Sequence, residues 1–336
     1  MLCWYLFSLV QACGKGGDLA KWAKHVRGVA NYVGIDVARQ CECSPVGVSS
    51  VWQSAHLSLS FFSTALVDAA ERVRNMREEE RFKSCTFCCA DLGFDVPGRL
   101  RSPNHKQMQK LLTWSIRNDD ESRPPEFKMI RGGGIKESDR FDVVSIQFAI
   151  HYMMETKKRA RRFFRTVSQL LDVGGNLILT TTDARVIVGH LMNLGLNLHF
   201  DEESGASLDG RPEISVGGGA CRISFEPETV KTIFQNQHRD GLSEDLFGLK
   251  YTFTLVEGSD HAAGVGDAVN VPEWLTPIPV LVDLAKEVGL ELDYAQNFHE
   301  FFQTRSDPNE FPKSHSNLYK RKVLNRNGSI SSEVRV

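Results

Sequence analysis

Apolar and polar positions alternate in blocks along this chain, with short apolar runs trading places with stretches of helical spacing. That alternation predicts βαβ units and a mainly parallel sheet. Residues 6–10 read as a short strand. After the turn "ACGKGGD", Leu19, Trp22, Ala23 and Val26 recur at i, i+3, i+4 and i+7, one face of a helix. "NYVGIDV" is a second strand that ends at Asp36. A second helix begins near Ser63 or Thr64, both suited to an N-cap, and carries Leu66, Ala69, Ala70, Val73 and Met76 on one stripe. "FKSCTFCCADL" is a third strand ending at Asp91, and "RFDVVSIQFAIHY" is a fourth, apolar through its middle as a central parallel strand is. Ala160, Phe163, Phe164, Val167, Leu170 and Leu171 mark the buried face of the next helix, and "DVGGNLILTTTDA" is a glycine turn into a fifth strand.

Beyond that point the pattern loosens. Residues 185–265 are glycine-rich and irregular, with strand-like "CRISFE" and "LKYTFTLV". "NVPEWLTPIPVLVDLAKEVGLELDYAQNF" predicts a proline-punctuated entry, an amphipathic helix and a final strand. Residues 303–336 are polar and basic and read as a loose tail. Connections in βαβ units usually take about two to six residues. Residues 41–62, "CECSPVGVSSVWQSAHLSLSFF", exceed that without a helical period, and stand out as an insertion.

Composition narrows the class. The 336 residues suffice for one large α/β domain or two small ones. With 41% hydrophobic and 24% charged residues the chain reads as soluble and globular. A formal net charge of −2 argues against a strongly basic nucleic-acid scaffold but leaves room for a local basic site. The eight cysteines are irregularly spaced, and "CTFCC" lacks the second half that a zinc site needs, so reduced thiols and no metal are expected. No run of 18 apolar residues predicts a membrane span. "MLCWYLFSLVQAC" has an apolar stretch but no positively charged start, so it is read as strand rather than signal peptide.

The candidate chemistry gathers at one sheet edge. Gly14, Gly16 and Gly17 follow a strand and open a helix, which lets backbone N–H groups approach a ligand. The spacing is neither the dinucleotide fingerprint nor a P-loop. Acidic residues end the second strand (Asp36) and the third (Asp91), on the same edge as the loop. A carboxylate after the second strand suits ribose hydroxyls, and one after the third suits the adenine amine. That set fits S-adenosylmethionine better than a dinucleotide. The alternative reading is that both aspartates cap the turns that follow them.

"ACGKGGDLAKW", "GIDVA", "FDVVSIQFAIHY", "VNVPEWL" and "NFHEFF" together resemble the eukaryotic mRNA cap (guanine-N7) methyltransferase family. The likeness covers most of residues 9–325, apart from 41–62 and much of 95–139. It implies an α/β class I S-adenosylmethionine-dependent methyltransferase fold, Rossmann-like, with a mostly parallel seven-stranded sheet and an inserted cap-binding lobe. On that reading the methyltransferase domain spans 1–302 with its substrate lobe at 185–270. The resemblance implies that Ala12, Gly14, Asp18, Asp36, Asp91, Gln147 and Tyr152 line the cofactor pocket. It assigns Lys15, Lys21, Arg72, His151 and Glu273 to the cap. Three cations suit a triphosphate bridge, and Glu273 can accept from guanine N1–H and the N2 amine. No catalytic side chain is expected, because guanine N7 has a free lone pair and proximity suffices. Capped mRNA, other capping or transcription machinery and the nucleus are the implied surroundings.

Other readings of single residues stand beside these. Lys21 and Arg72 can be solvated helix charges, His151 and Tyr152 core residues, and Phe148 packing. Glu273 can be a carboxylate at a helix start, favoured by the helix dipole. "KKRARR" at 157–162 can touch RNA or act as a nuclear signal, but its position opposite Phe163, Phe164 and Val167 makes a solvated face. Against the family pattern, Val10 replaces an aspartate, Gln11 an apolar residue and Thr182 a proline. A preceding segment and the last strands with a cap-side tyrosine are not in the sequence. With 41–62, these departures lead to the expectation of a faulty gene model or of an impaired, cap- or RNA-binding homologue. A small-molecule methyltransferase is a third possibility, opposed by the His151, Tyr152 and Glu273 set, and an oxidoreductase is opposed by the loop spacing.

Overall fold

The computed structural model describes residues 6–14, 16–24, 28–36, 64–77, 82, 84–89, 93, 112–117, 126–131, 139–194, 199–201, 205–207, 212–216, 219, 221–235, 242–256, 267–307 and 309. Lys15, Val26, Asp91, the segment 41–62 and residues 310–336 lie outside these.

Seven strands share one sheet: β1 (Leu6–Gln11), β2 (Val29–Asp36), β3 (Ser84–Cys89), β4 (Leu112–Arg117), β5 (Glu126–Arg131), β6 (Phe141–Gln147) and β7 (Leu171–Thr180). Their order is β5-β4-β3-β2-β1-β6-β7. The run β3-β2-β1-β6-β7 is parallel. β4 and β5 extend it antiparallel on the β3 side, in a stretch where the hydrophobic pattern predicted no element. This is the mostly parallel seven-stranded α/β sheet of a class I fold.

Helices cover both faces, as a parallel sheet requires. Alternate residues of the central strands feed the two layers. Val10, Val29 and Tyr32 face Leu19 of α1 (Leu19–Ala23) and Ala69 and Val73 of α2 (Thr64–Arg74). Leu9, Val33, Ile35, Val144 and Ile146 face Ala160, Phe163, Phe164 and Val167 of α3 (Lys157–Leu170). Val10, where the family resemblance leads one to expect aspartate, is 2% exposed within the first layer. α3 starts cleanly because Thr156 accepts from the Arg159 N–H at 3.2 Å.

Three expected boundaries move. The fourth strand stops at Gln147, because Phe148 adopts a left-handed φ of 50°. A 3-10 helix over Ile150–Glu155 follows, with Ile150, His151, Met153 and Met154 buried. A continuous apolar run reads the same whether it is a buried strand or a buried helix. Leu171 belongs to β7 rather than the helix, and the glycines there form a bulge: Phe141 pairs with Leu171, but Val143 pairs with Asn176. α1 ends at Ala23, so it is five residues long.

Most of the described residues between 185 and 265 fall in regular elements rather than the irregular chain expected, among them the strands expected at "CRISFE" and "LKYTFTLV". α4 (Ala184–Met192), the short pair β8 (His199–Asp201) and β9 (Gly205–Ser207), β10 (Glu213–Val216), β11 (Cys221–Phe225), α5 (Pro227–Gln235) and β12 (Lys250–Val256) follow in turn. β13 (Asp267–Trp274) completes a four-stranded antiparallel sheet in the order β10-β11-β12-β13. Ala184, Ile187, Leu191, Ile223, Phe225, Val230 and Tyr251 form its core. The short strands and intervening glycines had masked that alternation.

After β13 the chain enters α6 (Ile278–Lys286), whose Val280, Leu281 and Leu284 join the main core. Arg161 and Glu287 lock α6 to α3 with two N–H···O contacts at 2.8 and 2.5 Å. The expected final strand does not form: residues 291–295 are exposed and without regular structure, and no strand among the described residues pairs with them. α7 (Phe298–Ser306) closes the described part, so the first residues of the predicted loose tail are helical.

Candidate functional site

The strand order places a crevice. β1 sits between β2 and β6, so the chain leaves it in one direction and returns on the other side. In open parallel sheets, ligands bind outside the carboxyl ends of the strands at such a reversal. Three segments meet there: the loop after β1, the end of β2, and the turn after β6.

The loop is held by backbone bonds from Cys13 N–H to the Ile35 carbonyl at 2.9 Å and from Gly16 N–H to the Cys13 carbonyl at 2.9 Å. Ala12, Gly14 and Gly16 all take positive φ, at 54°, 50° and 74°. A Cβ on Gly16 would meet Leu19 Cδ1 at 2.4 Å, so that glycine is needed for packing. A Cβ on Gly14 would meet nothing within 4 Å, so that position is open toward the crevice. Gly14 N–H donates to Asp36 Oδ2 at 2.7 Å, which ties the end of β2 to the loop. Asp36 therefore holds the loop after β1 from the crevice; the turn that follows Asp36, which the capping reading concerned, lies outside the described residues.

The other candidates differ in exposure and in partners. Lys21 is 77% exposed and pairs with Asp18 at 2.5 Å. Arg72 is exposed in the last turn of α2. Lys15 and Asp91 fall outside the described residues. Gln147, half-buried at the end of β6, donates to Ser145 Oγ at 3.0 Å and accepts from Thr180 Oγ1 at 3.0 Å. Tyr152 is also half-buried, with its ring 4.3 Å from that of His151 in a T-shaped contact.

His151 and Glu273 do meet. Their side chains are 4% and 8% exposed, and His151 Nε2 lies 3.3 Å from Glu273 Oε1. The structure corrects the helix-start reading of Glu273: it sits on β13, directly opposite Tyr251 of β12. Tyr251 O–H donates to Glu273 Oε2 at 2.7 Å, and Thr182 Oγ1 lies 3.3 Å from the Tyr251 oxygen. Burial, then the Glu273 charge, push the Tyr251 phenol far above its usual range, so it stays protonated. The lobe sheet thus presents a carboxylate, flanked by an imidazole and a phenol, against the turn after β6.

Phe148 is not core packing. Its side chain is 57% exposed and lies 5.9 Å from the ring of Phe298, itself 58% exposed. Tyr251 was missed altogether. Alternation along "KYTFTL" places Tyr251 on one face of a strand, but only the β12–β13 register brings it to Glu273.

Of the basic run, three members are committed within the molecule. Lys157 bonds the Leu242 carbonyl and pairs with Glu244 at 3.3 Å. Arg159 pairs with Glu155 at 2.8 Å, and Arg161 with Glu287. This favours the solvated, helix-bracing reading of the run over an RNA contact.

Residues 128–206 and 216–334, more than half of the chain, match the mRNA (guanine-N(7))-methyltransferase domain family. The chain belongs to this family. His151, Tyr152, Tyr251 and Glu273 all lie within the matched residues of this mRNA (guanine-N(7))-methyltransferase domain, whereas the glycine loop lies before them. Among relatives, mRNA cap guanine-N(7) methyltransferase 1 of Oryza sativa subsp. japonica is 29% identical over 300 residues, covering 89% of this chain and 57% of that protein. The protein of the same name from Arabidopsis thaliana is 30% identical over 300 residues, with the same coverage of 89% and 57%. The chain therefore spans little more than half the length of these relatives. A solved S-adenosylmethionine-dependent methyltransferase from Clostridium acetobutylicum ATCC 824 superposes with a TM-score of 0.38 at 11% identity, covering 86% of this chain and 80% of that one. That likeness is too slight to build on.

Proposed function

We propose that this chain transfers a methyl group from S-adenosylmethionine to N7 of the guanine cap of mRNA, converting GpppN ends to m7GpppN. The observation that carries the reading is the buried Glu273 carboxylate, set against His151 at the sheet reversal. A buried carboxylate must find donors, or it costs several kcal/mol. Guanine offers N1–H and the N2 amine side by side. Adenine presents an acceptor at the same place and would set a lone pair against the Glu273 carboxylate.

The residues present fit the cofactor. Gly14 opens onto the crevice, Asp36 is fixed beside it to accept from ribose hydroxyls, and Gln147 and Tyr152 stand across from them at the end of β6. Asp18 and Ala12 complete the loop, and Asp91 is assigned to the adenine amine. When bound, the cofactor supplies a methyl group already activated on a sulfonium. The chain's own work is alignment. Glu273 and His151 grip the guanine edge, and the exposed Phe148 ring offers a stacking face three residues before His151. Lys15, Lys21 and Arg72 are the cations assigned to the triphosphate, with Lys21 exchanging Asp18 for phosphate. Guanine N7 carries no proton, so no general base is required. Orientation can supply about 7–11 kcal/mol in favourable cases, and the fixed charges favour the positive charge moving onto the base.

Capped mRNA is then the partner, and contact with capping or transcription machinery and a nuclear location follow from where caps are made. Among the described residues no helix is long and apolar enough to cross a membrane. The reading is tested by transfer of labelled methyl to GpppA-capped RNA. Wild type should transfer label. Glu273→Ala should lose more than about a hundredfold in kcat/KM while binding the cofactor almost as wild type does in calorimetry, since unpaired donors on the base cost about 1–3 kcal/mol each. Equal loss of cofactor affinity would remove the assignment of Glu273 to the base.

A further inference from the structure

Glu273 does not stand alone in the lobe. Tyr251 is 1% exposed and Glu273 6%, and the two face each other across β12 and β13. Tyr251 has a single hydroxyl proton, and the 2.7 Å contact commits it to Glu273 Oε2. The 3.3 Å contact between Thr182 and the same phenol oxygen must then run from the Thr182 O–H to Tyr251. Thr182 follows β7 of the main sheet, so this short relay ties the sheet edge to the lobe. On the other carboxylate oxygen sits His151, from the turn after β6. The carboxylate is thus held from two sides, by the phenol on Oε2 and by the imidazole beside Oε1.

We propose that Tyr251 and Thr182 are positioning residues that hold the Glu273 carboxylate turned to accept both N–H donors of the guanine edge, an inference that rests on the cap reading above. Without the phenol, Glu273 turns toward His151, which spoils a paired grip on N1–H and the N2 amine. Thr182 is the weaker link. By donating to the phenol oxygen it polarises the Tyr251 O–H and strengthens the bond to Glu273. Proline, which the family resemblance leads one to expect at that position, has no hydroxyl with which to make this second link.

Tyr251→Phe and Thr182→Val each remove one hydroxyl with little change of shape. Both are to be measured in the full chain, with labelled S-adenosylmethionine and short RNAs capped with either guanosine or inosine. Inosine keeps N1–H and lacks the N2 amine. Tyr251→Phe should raise KM for the guanosine cap by about tenfold or more. Cofactor affinity by calorimetry and kcat at saturating cap should stay within about twofold. The preference for guanosine over inosine should shrink, because a carboxylate that is not held straight gains less from the second donor. Thr182→Val should move the same quantities in the same direction by about two- to fivefold. A Tyr251→Phe enzyme with wild-type KM and preference overturns the inference. So does one that loses cofactor affinity and kcat along with KM, which is the mark of a merely structural role. If Tyr251→Phe does not fold by circular dichroism, Thr182→Val decides by the same criteria. Folded wild-type protein that methylates neither cap overturns the cap reading and this inference together, whereas an active wild type with unaltered variants overturns this inference alone.

Discussion

Single residues carry the proposed chemistry through their neighbours. Asp36 is an example: the same carboxylate that takes the Gly14 N–H at 2.7 Å stands at the mouth of the open glycine position. Asp36→Asn keeps the size but removes the charge, and hydrogen bonds to a charged acceptor contribute about 1.5–3 kcal/mol. Cofactor affinity measured by calorimetry should fall about tenfold or more, with cap affinity little changed; unaltered cofactor affinity would leave Asp36 only its turn-holding role. Asp36 was picked out by its place at a strand end, whereas His151 and Glu273 entered only through the family resemblance of the short runs that hold them. Tyr251 was not, because its role depends on a cross-strand register that no local pattern reveals. Phe148 was misread for a related reason: an apolar ring in an apolar run looks like core until a backbone φ of 50° turns it out to solvent.

At the scale of elements, periodicity found what was long and regular. α3 declared itself through Ala160, Phe163, Phe164 and Val167, all buried as expected. α2 begins at Thr64, where its start was expected, while Ser63, the other expected cap, lies outside the described residues. The pattern failed where elements are short or unpaired: "LELDY" alternates well enough, but none of the described strands pairs with it, Leu290 packs against the main core and residues 291–294 stay exposed and irregular. β4 and β5 lie where neither periodicity nor resemblance offered a guide. Close packing between β2 and β3 is a further element-level feature. A Cβ on Gly34 would sit 2.7 Å from Phe87 Cδ1 and 3.1 Å from Cys13 Sγ. Gly34→Ala should therefore destabilise by about 1–3 kcal/mol through overpacking, seen as a Tm lower by several degrees. An unchanged Tm would mean that the sheet yields there without cost.

For the whole molecule, the parallel sheet with its reversal beside β1 fixes where a ligand goes, and the lobe fixes what it meets. The sheet's class was legible from alternating strands and helices, which few folds share. The lobe was legible only as a region, since its four strands are brief and broken by glycines. Its docking onto the turn after β6 is what turns a generic cofactor crevice into a site with a buried carboxylate. The central claim is that this site directs the methyl group to guanine N7. The most direct test is to incubate GpppA-capped RNA with the protein and labelled S-adenosylmethionine, release the caps with a nuclease and separate them by chromatography. Label migrating with m7GpppA is the predicted result; label on the adenosine or on the RNA body, or none at all from folded protein, would contradict it.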